Sequence, residues 1–200
     1  MITSGKTLYR PARREDAAAV AELFALAGHG IAEYLWSLQA RDGQGPLQVG
    51  TERARRDDAN FSWRNALLAE RDGESVGLLL GYVLPAPGPT APADLERLPA
   101  VLRPFVALEH RVPGTFFING LAVRPEHRGN GIGSKLLYKS RQRALEARTA
   151  RVSVEVFAQN EGALRLYQRH GFRVLERCPA VPHACHPYAG DILLLVQNLN

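Results

Sequence analysis

The sequence predicts a mixed α/β fold built on a central sheet. Strand patterns come first, including a hairpin whose turn is Asp72-Gly73, and the second half runs strand, helix, strand, helix, strand, strand. A chain of 200 residues, 46% of them hydrophobic, is long enough to bury a core and has the length of one domain. We therefore expect a single domain over residues 1–200.

Apolar spacing assigns the elements of the first half. Helices are predicted where apolar residues recur every three or four positions, and strands where short apolar runs are bounded by turn residues. The predicted elements are a strand at 7–10, an amphipathic helix at 13–27 ended by Gly28, a helical stretch at 31–39, a loop at 41–46, an exposed helix at 48–58, and hairpin strands at 65–71 and 75–84.

The segment 85–104 contains six prolines. Proline lacks the N–H that a strand needs, so we predict a rigid connection without strands and with one helical turn near 94–98. The hairpin before it could not stand alone, and we therefore interpret 85–104 as an insertion within the domain rather than as a linker.

The second half predicts a regular succession of strands and helices. The elements are a strand at 115–123, a helix at 131–148, a strand at 151–158, a short helix at 160–170, and strands at 172–177 and 192–196. A loop rich in proline and histidine, 178–190, separates the last two strands.

The net charge is +5, with 25 basic against 20 acidic side chains, and the excess of basic residues is concentrated between Arg124 and Arg177. This segment lacks the interleaved aromatic residues and the helix-turn-helix or zinc-finger spacing of nucleic-acid binders. A compact phosphorylated ligand fits it better, and we expect no nucleic-acid partner.

Several classes of protein are excluded by simple counts. No apolar stretch approaches the roughly 18 residues that span a bilayer, and the first residues lack the apolar core of a signal peptide. Two cysteines are too few for a disulfide framework. Cys178, His183, Cys185 and His186 have irregular spacing for zinc, so no metal is expected. We predict a cytoplasmic protein with no membrane partner.

The strongest motif is a glycine-rich turn between a strand and a helix. Residues 121–134 read Leu-Ala-Val-Arg-Pro-Glu-His-Arg-Gly-Asn-Gly-Ile-Gly-Ser. Glycines at a helix start let backbone N–H groups approach an anion. The order Gly133-Ser134-Lys135 does not fit a Walker loop, and Leu136 stands where a dinucleotide fingerprint needs glycine. The remaining pattern, Arg128-x-x-Gly131-x-Gly133, resembles the acetyl-coenzyme A signature of the GNAT superfamily of N-acetyltransferases.

A second motif extends this resemblance. Residues 160–172 begin with Asn160, contain Tyr167 and end in Gly171-Phe172, as the second motif of that family does. The two motifs are separated by one helix and one strand, and together they cover about 119–172. The resemblance implies a mixed, mostly antiparallel central sheet flanked by helices. The proline-rich insertion is not a general feature of the family.

The resemblance also implies a co-substrate, acetyl-coenzyme A (acetyl-CoA), and a set of residues that bind it. Its diphosphate would be held by backbone N–H groups of the glycine turn, and its pantetheine arm would pair with the backbone of the preceding strand. Asn160 would contact the cofactor as well as capping its own helix. The residues implied are Leu121, Ala122, Val123, Arg128, Gly129, Asn130, Gly131, Ile132, Gly133, Ser134, Asn160 and Tyr167.

The implied reaction is direct transfer of an acetyl group to a primary amine in a ternary complex. Tyr167 matches the general acid that protonates the departing thiolate. An alkylammonium must lose a proton before it attacks, so a base is needed. Glu155 resembles the base of ribosomal-protein N-terminal acetyltransferases, while Glu109, with His110 beside it, is a rival. The acceptor wall would include residues of the first two helices and of the 178–190 loop.

Other functions stay open at this point. A noncatalytic acyl-CoA-binding or regulatory module would keep the glycine turn but would tolerate the loss of Tyr167. The acceptor amine could be a small molecule or a peptide amine, and the sequence does not identify it. Pairing into homodimers is common in the family, and the sequence leaves the oligomeric state open.

Overall fold

A seven-stranded sheet runs through the part of the chain that the computed structural model describes, residues 5–86 and 95–199. The strands are β1 (Leu8–Pro11), β2 (Ala66–Arg71), β3 (Glu74–Val83), β4 (Phe116–Val123), β5 (Arg151–Phe157), β6 (Arg173–Pro179) and β7 (Asp191–Asn198). Their order is β1-β2-β3-β4-β5-β7-β6. β4 and β5 are parallel, whereas β1–β2, β2–β3, β5–β7 and β6–β7 are antiparallel. The predicted mixed, mostly antiparallel sheet is confirmed.

Six α-helices with defined bounds flank this sheet in the described part of the chain. They are α1 (Ala17–Gly28), α2 (Ile31–Ser37), α3 (Pro46–Ala54), α4 (Arg103–Glu109), α5 (Ile132–Glu146) and α6 (Glu161–Arg169). Among the described residues, no helix is both long and apolar enough to cross a membrane.

Two helical regions differ from the prediction. The exposed helix expected at 48–58 is α3, which starts earlier because Pro46 has the φ of a first helical turn, and which buries Val49 and Ala54. A helix that the sequence did not predict, α4, begins at the end of the proline-rich segment, because Pro104 lies in its first turn, where the missing N–H costs nothing. Of the predicted helical turn near 94–98, Leu95 and Glu96 are helical. Residues 87–94 lie outside the described residues.

The described chain groups into two compact units. Of the described residues, the first unit holds those up to Gly81 and Gly120–Leu137, and the second holds those of Tyr82–Asn119 and those from Tyr138 onward. The first unit contains the predicted hairpin, whose turn residues Asp72 (φ 52°) and Gly73 (φ 82°) are both left-handed, as a type I′ turn requires.

An aromatic group anchors the helices of the first unit. The rings of Phe24, Trp36 and Phe61 lie 4.6–6.3 Å apart between centroids. Gly50 of α3 packs directly on this group, since a Cβ there would lie 2.6 Å from the Trp36 ring. The buried face of α3 therefore depends on a residue without a side chain.

This contact predicts opposite effects for two helical glycines. Gly50→Ala should lower the free energy of unfolding by about 1–3 kcal/mol, because the Trp36 ring must shift. Gly162→Ala, in α6, meets no atom within 4 Å and should raise the free energy of unfolding by up to about 1 kcal/mol through helix propensity. Urea unfolding of both variants measures the difference. Equal effects would contradict the packing assigned to Gly50.

The second unit is organised around β5. This strand pairs in parallel with the first residues of β4 and antiparallel with β7 along its whole length. Val152 and Val154 are buried, whereas Glu155 interrupts the apolar sequence of the strand. A buried bond of 2.6 Å between the hydroxyls of Thr115 and Ser153 fixes the strand beside β4.

Candidate active site

In the first unit, the glycine-rich turn joins the end of β4 to the start of α5. A short 3₁₀ turn, Pro125–His127, follows the strand. Gly129 (φ 77°) and Gly131 (φ 76°) are left-handed, a conformation that L side chains rarely adopt. A Cβ at either position would meet no described atom within 4 Å. The turn therefore presents bare backbone to open space.

The start of α5 supplies the donors. The Lys135 N–H donates to the carbonyl oxygen of Gly131 at 3.0 Å, and this is the first bond of the helix. The N–H groups of Ile132, Gly133 and Ser134 therefore have no acceptor within the helix. They lie at the positive end of a 15-residue helix, which favours an anion.

Side chains of the turn brace its backbone. Arg128 Nε donates to the carbonyl oxygen of Val123 at 3.0 Å, and Asn130 Nδ2 donates to the carbonyl oxygens of His127 and Arg128, both at 3.2 Å. Burial, and then the charge of Arg128, lower the pKa of His29. His29, which follows the end of α1, is therefore near enough to Arg128 to feel its charge.

The strand before the turn ends at Val123, as predicted, and begins at Phe116, one residue after the predicted start. Leu121, Ala122 and Val123 are its last three residues, with Ala122 buried. A Cβ on Gly77 would lie 3.2 Å from the Ala122 carbonyl oxygen, so the neighbouring backbone approaches this end of β4 closely.

The second unit brings the two rival bases together. Glu109 is the last residue of α4, and Glu155 lies in β5. Burial raises the pKa of Glu109 to about 7. Burial first, and the charge of Glu109 second, raise the pKa of Glu155 well above its ordinary value. Glu155 Oε1 is buried and has no hydrogen-bond partner among the described residues. Two carboxyl groups therefore share one poorly solvated region.

Two further titratable side chains respond to these carboxyl groups. Burial, and then the charges of Glu109 and Glu155, raise the pKa of Tyr82. Burial raises the pKa of Cys178, with smaller contributions from nearby carboxylates that include Glu155. The sequence analysis did not single out Tyr82, although a phenol near the end of a largely buried apolar strand was a usable signal.

The second motif forms α6 and the residues around it. Asn160 Oδ1 accepts a bond from the Ala163 N–H at 3.3 Å, which confirms the predicted N-cap. Tyr167 is 5% exposed, as its inward position on the helix predicted, and its ring lies 5.6 Å from that of Phe172. Burial raises the pKa of Tyr167. Its hydroxyl therefore keeps its proton at neutral pH.

An aromatic cluster, Phe105, Phe157, His186 and Tyr188, lies in the same unit. The ring of Phe157 is 5.6 Å from that of Phe105, 5.0 Å from His186 and 4.7 Å from Tyr188.

The histidines of the 178–190 loop are engaged with its backbone. His183 Nδ1 accepts a bond from the Cys185 N–H at 3.1 Å, and His186 Nε2 lies 3.2 Å from the Val181 carbonyl oxygen. In the part of the chain that the structure describes, no group of three or more His, Cys, Asp or Glu side chains is arranged to hold a metal ion.

Comparison with models of known families shows to which family the chain belongs. The model of the Acetyltransferase (GNAT) family matches residues 31–172, more than half of the chain. The chain belongs to the GNAT acetyltransferase family. The resemblance predicted from the glycine-rich turn and from residues 160–172 is thereby confirmed.

Solved structures share the fold of this GNAT chain at low sequence identity. An acetyltransferase crystal structure is 20% identical with a TM-score of 0.66, over 96% of this chain and 100% of that chain. An N-acetyltransferase from Staphylococcus aureus Mu50 is 18% identical with a TM-score of 0.63, over 95% and 100%. The yncA protein from Salmonella typhimurium, solved with its cofactor acetyl-CoA, is 20% identical with a TM-score of 0.60, over 98% and 95%. A search of curated proteins finds no match.

Proposed function

We propose that this GNAT protein transfers the acetyl group of acetyl-CoA to a primary amine by direct attack in a ternary complex. The observation that carries the proposal is the glycine-rich turn, whose left-handed glycines and free helix-terminal amides form a cradle for a diphosphate. The presence of acetyl-CoA in the yncA structure, which has the same fold, supports this choice of co-substrate.

Backbone groups would hold the acetyl-CoA. The diphosphate would accept bonds from the amides between Gly129 and Ser134, while Arg128 and Asn130 keep the turn in shape. The pantetheine arm would lie along the backbone of Leu121, Ala122 and Val123, where an N–H would polarise the thioester carbonyl. Asn160 would contact the cofactor from the start of α6.

The carboxyl pair would remove the proton from the acceptor ammonium. Glu109, with a pKa of about 7, is ionised in about half of the molecules at neutral pH, whereas burial and the charge of Glu109 both favour the protonated form of Glu155. We assign the role of base to Glu109 and that of its neutral partner to Glu155. The two groups titrate as a pair, so the first proton lost belongs to the pair.

In the acetyl transfer, the acetyl group moves from sulfur to nitrogen in one displacement. The amine nitrogen attacks the thioester carbonyl carbon, a C–N bond forms, and the C–S bond breaks. The first ammonium proton goes to the carboxyl pair before attack, and the departing thiolate takes a proton from the hydroxyl of Tyr167. The second nitrogen proton, which leaves as the amide forms, passes to Tyr167 and restores its hydroxyl. No acyl-enzyme is formed, so no nucleophilic side chain is required.

The direct test combines binding with product detection. Calorimetry with acetyl-CoA should show one saturable site, and incubation with a panel of primary amines should give acetylated product and free coenzyme A in equal amounts. No heat of binding at millimolar acetyl-CoA would overturn the proposal. Binding with neither product nor thiol release across the panel would instead support a noncatalytic acyl-CoA-binding module.

The cradle itself predicts a specific loss of affinity. Gly131→Ala places a methyl group where the diphosphate would lie and should raise the Kd for acetyl-CoA about tenfold or more. Gly73→Ala is the matched control, because it has a similar φ and open surroundings but lies in the hairpin turn. Both variants should lose about 1–2 kcal/mol of stability. Equal weakening of acetyl-CoA binding by the two variants would contradict the assigned cradle.

A further inference from the structure

In the second unit, α4 and β5 face each other, and each contributes one phenyl ring and one carboxyl group. Phe105 and Glu109 are four residues apart on α4, so they lie on one face of that helix. Glu155 and Phe157 are two residues apart in β5, so they lie on one face of that strand. The two phenyl rings contact edge to face, at 5.6 Å and 84°. The ring of Phe105 therefore packs against the ring of Phe157, and the charge of Glu109 affects the pKa of Glu155.

A cavity in the 178–190 loop adjoins the aromatic end of this arrangement. It has a volume of about 400 Å³, and His186 and Tyr188, which stack on Phe157, belong to its lining. Gln159 Oε1 accepts bonds from the N–H groups of Ala189 and Gly190, at 3.2 and 3.1 Å, which hold the loop beside the end of β5. The remaining lining residues are Pro182, His183, Ala184, Pro187 and Ala189.

At the end of this arrangement that holds the two carboxyl groups, a bound cation would provide a hydrogen-bond donor for Glu155. Glu155 Oε1 is buried without a hydrogen-bond partner among the described residues, and leaving such an atom unpaired is costly. Within residues 5–86 and 95–199, the titratable groups whose charges are coupled to Glu155 are Glu109, Tyr82 and Cys178, and none of these is cationic. An alkylammonium offers up to three N–H donors and the missing positive charge.

We infer that the acceptor is a monoamine joined by a two- or three-carbon linker to an aromatic ring, with the ammonium at Glu109 and Glu155 and the ring in the cavity beside His186 and Tyr188. The inference rests on the proposed function and names its substrate class. Side chains two residues apart in a strand are about 7 Å apart, so a two- or three-carbon linker suits an ammonium at Glu155 and a ring beside the residues that stack on Phe157. A carboxylate beside the amine would be repelled by the carboxyl pair, and a second cation would find no carboxylate in the lining of the cavity.

A matched amine panel tests this selectivity. 2-Phenylethylamine should show a kcat/KM at least about tenfold above those of butylamine, phenylalanine and putrescine, a difference that corresponds to one well-placed ring or one repelled charge. 2-Cyclohexylethylamine, which has the same length without the aromatic face, should lie between these groups. A kcat/KM for butylamine or putrescine equal to or above that for 2-phenylethylamine would overturn the inference.

A variant of the cavity separates ring recognition from catalysis. Tyr188→Ala should raise the KM for 2-phenylethylamine about tenfold, a larger change than it makes in the KM for butylamine, and should leave the Kd for acetyl-CoA unchanged. Tyr138→Ala removes a tyrosine from the exposed surface of α5 and should change none of these values. An unchanged KM for 2-phenylethylamine in Tyr188→Ala would overturn the placement of the ring.

Binding measured without acetyl-CoA distinguishes this inference from the proposed function. Calorimetric titration of the protein with 2-phenylethylamine at pH 7, in buffers of different ionisation enthalpy, should show proton release as the ammonium displaces the proton of the carboxyl pair. If other amines are acetylated but 2-phenylethylamine is neither preferred nor bound with proton release, the inference alone fails. If 2-phenylethylamine binds in this way but no amine is acetylated, the proposed function fails and the amine site stands.

Discussion

Glu109→Gln should lower kcat/KM at pH 7 by about 10²–10⁴-fold, the range typical of a lost general base. Glutamine keeps the size of the side chain at the end of α4 but cannot accept the ammonium proton. In the wild type, kcat/KM should rise with pH through a pKa of about 7, because the carboxyl pair must lose a proton before it acts as a base. In Glu109→Gln this rise near pH 7 should disappear.

Glu155→Gln is the matched control for this assignment. Burial alone raises the pKa of Glu109, so removing Glu155 should leave the rise of kcat/KM near pH 7 in place with a smaller loss of activity. A pH profile that loses its rise in Glu155→Gln and keeps it in Glu109→Gln would transfer the role of base to Glu155. Comparison of the full pH profiles of the three proteins decides between the two.

The same pKa has a consequence for stability. Folded Glu109 holds its proton up to a pKa of about 7, whereas the unfolded chain releases it near the ordinary value of 4.5. Between these pH values the native state binds more protons than the unfolded state, so this group makes the free energy of unfolding fall as pH rises. Urea unfolding at pH 4.5 and pH 7 should show a smaller fall for Glu109→Gln than for the wild type.

Tyr167→Phe should lower kcat by about 10²-fold or more while leaving the Kd for acetyl-CoA nearly unchanged. Phenylalanine keeps the buried ring and its contact with Phe172, and only the hydroxyl that would protonate the thiolate is lost. Because burial raises the pKa of Tyr167, that hydroxyl carries its proton throughout the neutral range and is ready to act as an acid.

Steady-state kinetics and calorimetry on the same preparation measure both quantities. Tyr138→Phe, which removes a hydroxyl from a half-exposed tyrosine of α5, should leave both within about twofold of the wild type. A wild-type kcat in Tyr167→Phe would refute the role of acid. A loss confined to the Kd for acetyl-CoA would show that the hydroxyl serves binding instead of catalysis.

Local patterns predicted the parts of this protein that depend on neighbours in the chain. The Asp72-Gly73 turn, the left-handed glycines before α5 and the N-cap at Asn160 all depend on residues within a few positions. For these features the residue types alone limit the backbone conformation, through glycine's access to positive φ and through the capping ability of asparagine. Family membership followed from two such local motifs at the right spacing.

The helix at the end of the proline-rich segment could not be predicted from the local sequence pattern. Proline predicts the end of a regular element in most contexts, and no helix was therefore predicted at the end of the segment 85–104. The structure instead begins α4 at Arg103–Pro104, because proline is tolerated in a first helical turn. This helix carries both Phe105 and Glu109, so a helix that the proline pattern did not predict supplies two of the residues on which the proposed acceptor site depends.

By itself, the sequence determined the family, the sheet class, the glycine-rich turn and the candidate side chains Tyr167, Glu155 and Glu109. Only the tertiary structure decided that Glu109 and Glu155 interact, that burial raises the pKa of both, and that an aromatic cluster adjoins them. The physical reason is that desolvation and through-space charge depend on contacts between α4, β5 and the 178–190 loop. These segments are tens of residues apart in the chain, and no local pattern encodes their meeting.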